Sequence, residues 1–137
     1  DAWARRCDLA FDVNEEHHVP PAQVDALLAI IADEGAAASV SSIHAHAQLG
    51  DHDKARGIVK ATETLWGLSA ESTRAGFAFV GDSGNDAAAF AFFGLTFGVA
   101  NVVRHLARLD VPPRYVAARE SGAGFAEIAR ALLATRS

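Results

Sequence analysis

Phe79-Val80-Gly81-Asp82-Ser83-Gly84-Asn85-Asp86 decides how the rest of the chain is read. An apolar run over 77–80 stops at this small acidic loop, and Ala87-Ala88-Ala89-Phe90-Ala91-Phe92-Phe93 follows as a helix-prone segment. Two carboxylates therefore fall in a turn between a buried strand and a helix, on the side of an open α/β sheet where ligands bind. Two hard oxygen donors four residues apart, in a loop whose glycines permit tight curvature, suit a hydrated Mg2+ ion. The same residues also suit a plain turn that breaks the strand and caps the helix.

Downstream of the loop a strand-helix rhythm continues. An apolar strand is expected over 95–99, a helix over 102–109 with Val103, Leu106 and Leu109 inward, and a strand over 114–118. After the turn Gly122-Ala123-Gly124, a last helix carries the stripe Phe125, Ile128, Ala129, Leu132 and Leu133. Continuous apolar strands alternating with helices indicate a parallel sheet covered on both faces, with right-handed crossovers. From about residue 50 onward the chain thus reads as the second half of a Rossmann-like core.

Upstream, Gly50 ends a strand and Asp53 is a candidate N-cap for a helix that buries Ile58, Ala61 and Leu65 and stops at Gly67. Lys54 opens that helix, where its ammonium and the helix N-terminus together favour a phosphate; Lys60, further inside, reads as solvated. The stretch 36–49 alternates: Ser42, His44, His46 and Gln48 on one face of a strand, Ile43, Ala45, Ala47 and Leu49 on the other. A zinc site from His44, His46 and His52 is a further reading, without a cysteine partner or a helical His-Glu-x-x-His pattern. Before it, Pro20-Pro21 starts a helix with Val24, Leu27, Leu28 and Ile31 on one side, ending at Gly35, and 9–13 reads as a short strand.

Composition sets the bounds. A chain of 137 residues, 50% apolar, can build one compact domain or parts of two. A net charge of -5 gives no footprint for nucleic acid. No apolar run approaches the roughly 18–20 residues of a membrane span, and there is no basic-then-apolar leader. The single cysteine, Cys7, cannot form an internal disulfide, so a reducing cytoplasm is the expected compartment. Nothing marks an oligomeric state. No Gly-x-Gly-x-x-Gly or Walker loop supports a nucleotide-binding module. The chain contains no methionine, which points to a missing N-terminal part.

Residues 81–101, GDSGNDAAAFAFFGLTFGVAN, resemble the fourth signature motif of the haloacid-dehalogenase-like (HAD) phosphatases. Within them they are similar to the sugar-phosphatase branch, which includes sucrose-phosphate and mannosyl-3-phosphoglycerate phosphatases, Cof-type hydrolases and phosphomannomutases. The resemblance is specific over 77–101 and weaker elsewhere. Lys54 matches the family's third motif, although Ala55-Arg56 intervenes before Gly57, where the family usually has glycine directly after the lysine.

The resemblance implies an α/β protein in which 1–49 is the end of an α/β cap and 50–137 the C-terminal half of a HAD-like core. In such proteins the open face of the cap's sheet lies over the active site, so His44 and His46 are expected to touch the substrate's leaving group. The implied activity is a Mg2+-dependent phosphomonoesterase for a phosphorylated sugar or glycoside, working through an aspartyl-phosphate. Asp82 would bind the metal and Asp86 complete or support its coordination. Asn85 and Ser83 would hold the phosphate or orient the loop, and Lys54 would offset phosphoryl charge. The first motif, an apolar strand ending Asp-x-Asp, is not convincingly present. Asp51-His52-Asp53 follows a polar-faced strand and runs into the lysine helix, and Asp12-Val13-Asn14 has Asn where the acid/base belongs. Ser41 and Ser42 fit the second motif poorly. The nucleophile is therefore expected ahead of Asp1. A phosphomutase of the same fold and a non-catalytic HAD-like fragment are the alternatives.

Overall fold

The computed structural model describes residues 8–135, so Cys7 lies outside the described residues. The chain divides into two compact units between His52 and Asp53, where the sequence suggested a break at 49/50.

In the first unit, strands β1 (Asp8–Asp12), β2 (Ala37–Val40) and β3 (His44–Gln48) form an antiparallel sheet in the order β1-β3-β2. Helix α1 (Pro21–Asp33) starts with proline in its first turn, and the chain leaves it through Gly35 at φ 80°. The single strand expected over 36–49 is instead a hairpin. The Ser41 hydroxyl accepts the His44 amide at 3.0 Å and turns the chain back, so Ser42 sits in the turn and does not share a face with His44 and His46. Val13, Val24 and Ala45 form the core, with Leu27, Leu28 and Val40 packed against it. Because side chains alternate along β3, α1 covers the Ala45 side and the two histidines belong to the opposite face.

The end of β1 is organised by one carboxylate. Asp12 accepts the amides of Asn14, Glu15, Glu16 and His17 at 2.7–3.1 Å, and the His17 ring lies 3.2 Å away. The Glu15 amide leads in holding this carboxyl far below its ordinary value of 3.8, against a partial opposing push from burial. A depressed folded value means that the stabilisation is complete above the ordinary value and is lost as pH falls below it towards the folded one. Asp12→Asn should therefore remove part of the chain's acid sensitivity. The check is to compare circular-dichroism melts of the two proteins from neutral pH down to about pH 2; parallel curves would dismiss the role.

In the second unit, Asp53 caps α2 (Lys54–Trp66) by accepting the Arg56 amide at 2.8 Å, and Gly67 at φ 67° closes it. The buried face carries Ala55 and Thr62, whereas Leu65, expected inward, is 68% exposed. Helix α3 (Ala70–Gly76), which the periodicity did not announce, rotates that face towards itself: the Thr62 and Thr73 hydroxyls meet at 2.7 Å in a buried contact. The remaining elements are β4 (Ala78–Gly81), α4 (Ala87–Phe92), β5 (Leu95–Gly98), a 3-10 segment (Ala100–Arg108), β6 (Tyr115–Val116) and α5 (Ser121–Ala134).

Strands β4, β5 and β6 are parallel in that order. Phe79 packs with Phe90, Val102, Leu106 and Leu109, while Val80 and Phe97 pack with Val99, Ala117, Ile128 and Leu132. Strands β4 and β5 are thus covered on both faces, as parallel strands require, while the edge strand β6 leaves Tyr115 and Val116 exposed, and the chain is an α/β protein. Two stripes differ from expectation. In the 3-10 segment Val102 is buried and Val103 is 57% exposed, because the tighter turn shifts the inward positions and Val102 fits the space left by Gly98. Helix α5 takes the three-residue turn Gly122-Ala123-Gly124 into its first turns and leaves Phe125 57% exposed. Among the described residues no helix is long and apolar enough to cross a membrane.

Candidate functional site

The acidic loop leaves the carboxyl end of β4 at Gly81 and winds into a single 3-10 turn, Gly84–Asp86, before α4. Asp86 is only 2% exposed, and its position is set from both ends. Its Oδ2 accepts the amides of Asp82 at 2.8 Å and Ser83 at 3.1 Å, the acidic arm of a capping box that begins at Ser83. Its Oδ1 lies 2.5 Å from the Lys54 ammonium. Gly81 makes room for this carboxylate, since a Cβ there would stand 2.5 Å from Asp86 Oδ2 and 2.8 Å from Phe90. Gly81→Ala is expected to displace one or the other and to destabilise the second unit by about 1–3 kcal/mol, read by urea unfolding. Stability equal to the parent would show that the loop has slack.

Lys54 comes from the first turn of α2 and reaches over the loop. Its ammonium donates to Asn85 Oδ1 at 3.0 Å as well as to Asp86, which uses two of its three N–H donors while the side chain stays 44% exposed. Ser83 bridges the loop internally, its hydroxyl lying 3.2 Å from Asp82 Oδ1 and 2.9 Å from Asn85 Oδ1. Five expected residues, Lys54, Asp82, Ser83, Asn85 and Asp86, are therefore brought together. Asp86, expected to complete or support a metal's coordination, has both oxygens engaged, so support is the part its geometry favours. Asp82, half-buried, offers the carboxylate that a cation could take.

His44 and His46 lie in the first unit, as does His52. His44 Nε2 is 2.9 Å from Glu15 Oε2, and His46 Nδ1 is 3.3 Å from Asp8 Oδ2. These carboxylate partners had no signal in the sequence, because Glu15 sits in an unpatterned connector and Asp8 lies on a distant strand. Among the described residues no group of three or more His, Cys, Asp or Glu side chains is placed to hold a metal, so the zinc reading of His44, His46 and His52 finds no support.

No protein-family model matches the chain, and no curated protein matches it significantly. Its fold is similar to the crystal structure of Thermoplasma acidophilum 0175, with a TM-score of 0.62 at 20% identity, over 92% of this chain. The match covers 50% of that protein, so the chain spans about half its length. At this identity the likeness establishes the α/β fold alone.

Proposed function

We propose that the second unit is the metal- and phosphate-handling half of a Mg2+-dependent phosphomonoesterase of the HAD-like type, acting on a phosphorylated sugar or glycoside in a reducing cytoplasm. One observation carries this reading. An ammonium from the start of α2 and a carboxylate from the end of β4 are held on one loop at the carboxyl edge of a parallel sheet, and a buried aspartate fixes both. A merely structural turn does not require a lysine from another helix, half-exposed and held at the rim.

The residues fit the ion in part. Mg2+ takes one or two carboxylates and keeps waters and substrate phosphate in its other positions, so Asp82 is a sufficient contribution from this loop. When bound, the ion would neutralise phosphoryl charge and hold the attacking carboxylate and the phosphate together. Lys54 would hold the transferring group, and Asp86 would keep that ammonium and the Asp82 amide in place before substrate arrives. The attacking aspartate belongs to sequence outside this chain. β4 ends the described sheet, and a further parallel strand beside it would run about 4.8 Å away and finish next to Asp82. The sugar class rests on family analogy.

The test is phosphate release from a panel of sugar phosphates by the polypeptide that carries this sequence together with whatever precedes it in its gene. Release that needs Mg2+, stops with EDTA and is lost in Asp82→Ala is expected. Transfer to a second sugar hydroxyl would indicate the mutase, and no turnover with any substrate would overturn the catalytic reading.

A further inference from the structure

We propose that Asn101 is a positioning residue for the acidic loop: its carboxamide locks the turn after β6 to the segment against which the Gly84–Asp86 turn rests. The link to activity rests on the phosphatase reading; the coupling between the loops does not.

The ladder brings these parts to one edge. Gly81 pairs with Gly98 and Gly98 with Val116, so the chain leaves β4, β5 and β6 at the same level, with neighbouring strands about 4.8 Å apart. Two backbone bonds continue the ladder past the strands. The Val99 amide donates to the Gly81 carbonyl at 3.0 Å, and the Ala117 amide to the Gly98 carbonyl at 2.8 Å. The 3-10 segment Ala100–Arg108 then lies against the turn Gly84–Asp86, and Asn101, half-buried, is its second residue.

The same residue holds the turn after β6. Asn101 Oδ1 accepts the Ser121 amide at 2.7 Å, while the Ala100 amide donates to the Arg119 carbonyl at 3.0 Å. Ser121 stands at φ 50°, the one non-glycine in the left-handed region among the described residues. A serine there is strained, and such conformations persist only where surrounding contacts over-determine them. Glu120 pairs with Arg104 of the 3-10 segment at 3.2 Å, and Gly124 lies so close that a Cβ would collide with the Arg119 carbonyl oxygen. The ion pair is mostly exposed and adds little, so the carboxamide on the strained residue itself is the contact whose removal frees the turn. Once freed, Ser121 relaxes towards the ordinary right-handed region and the 3-10 segment loses an anchor. Asp86, in the turn beside that segment, then holds the Asp82 amide and Lys54 less firmly.

The experiment is amide hydrogen exchange by NMR on the 137-residue chain. Asn101→Ala is expected to speed exchange about tenfold at Ser121 and also at Asp82 and Ser83, whose amides Asp86 accepts. Thr73 in the same unit, bonded to the Ser69 carbonyl at 2.9 Å, should keep its rate. Asn101→Asp, whose carboxylate accepts the same amide, should restore all three rates. Ser121→Gly, which removes the strain, should recover part of the loss in the Asn101→Ala background. Should Asn101→Ala fail to fold, Asn101→Gln, with its amide one carbon farther out, is expected to give the same pattern. Faster exchange at Ser121 alone would make Asn101 a local cap, a uniform rise including Thr73 would make it a general stabiliser, and unchanged rates would make the contact dispensable; each overturns the proposal. In the polypeptide that carries this sequence, Asn101→Ala should also raise the Mg2+ concentration for half-maximal turnover about tenfold, with Asn101→Asp restoring it. An unchanged Mg2+ response in an active protein would overturn the link to activity. No turnover by the parent counts against the catalytic reading alone, because the exchange pattern decides the coupling without it.

Discussion

Asp86→Ala is expected to destabilise the second unit by about 3 kcal/mol, seen as a lower urea midpoint at an unchanged m-value. The residue is almost fully buried and makes three charge-assisted contacts, to the amides of Asp82 and Ser83 and to Lys54. Truncation removes the capping box, leaves two loop amides to find water, and strips a cation of its partner. Lys54 is nearly half-exposed, so its share is discounted for solvent, and the amides carry most of the loss. Asp86→Asn separates the two parts. An amide oxygen can still accept from Asp82 and Ser83, but the amide nitrogen then meets an ammonium, so this variant should lose the link to Lys54 and keep most of the loop. Asp86→Ala unfolding within about 0.5 kcal/mol of the parent would mean that the loop does not depend on this carboxylate.

How far such roles are legible in sequence depends on whether the deciding contact is local. Asp53 as a cap and Gly35 and Gly67 as stops are local chemistry, and the structure has them where the residues suggest. The strand-loop-helix order around Asp82 follows from a change of period over a few residues. Which side of a helix turns inward is a different matter: Leu65, Val103 and Phe125 look like core residues by spacing and are more than half exposed. Their neighbours decided otherwise, α3 against α2, a three-residue repeat in place of a helical one after β5, and glycines drawn into the first turns of α5. The hairpin over 37–48 was hidden because Ser41 and Ser42 continue an alternation that the turn at Ser41 in fact breaks.

At the site the limit was of another kind. Asp82 and Asp86 four apart fit both a metal pair and a cap, and Ser83-Gly84-Asn85-Asp86 does hold the Ser-x-x-acid spacing of a capping box. That signal separates the two carboxylates, the second holding the loop and the first lying outside the cap. Lys54 was reachable only through its place at a helix start and through the family pattern, since no local rule links it to a loop some thirty residues on.

Lys54→Met should then reverse the balance seen at Asp86. On the phosphatase reading, turnover by the polypeptide that carries this sequence is expected to fall by about 10²–10³-fold, the usual consequence of deleting one preorganised donor to a developing negative charge. Stability should change by only about 1 kcal/mol, because Asp86 keeps its two amide donors and the lost pair is partly solvated. Lys54→Arg is not a conservative rescue. The ammonium reaches Asn85 and Asp86 as a compact point charge, whereas a guanidinium is a wider planar fork, so partial activity with a raised KM is expected. Steady-state kinetics and urea unfolding on the same preparations decide the matter. A Lys54→Met protein that keeps kcat within about tenfold of the parent would place the phosphoryl charge elsewhere and reduce Lys54 to a tether for the loop.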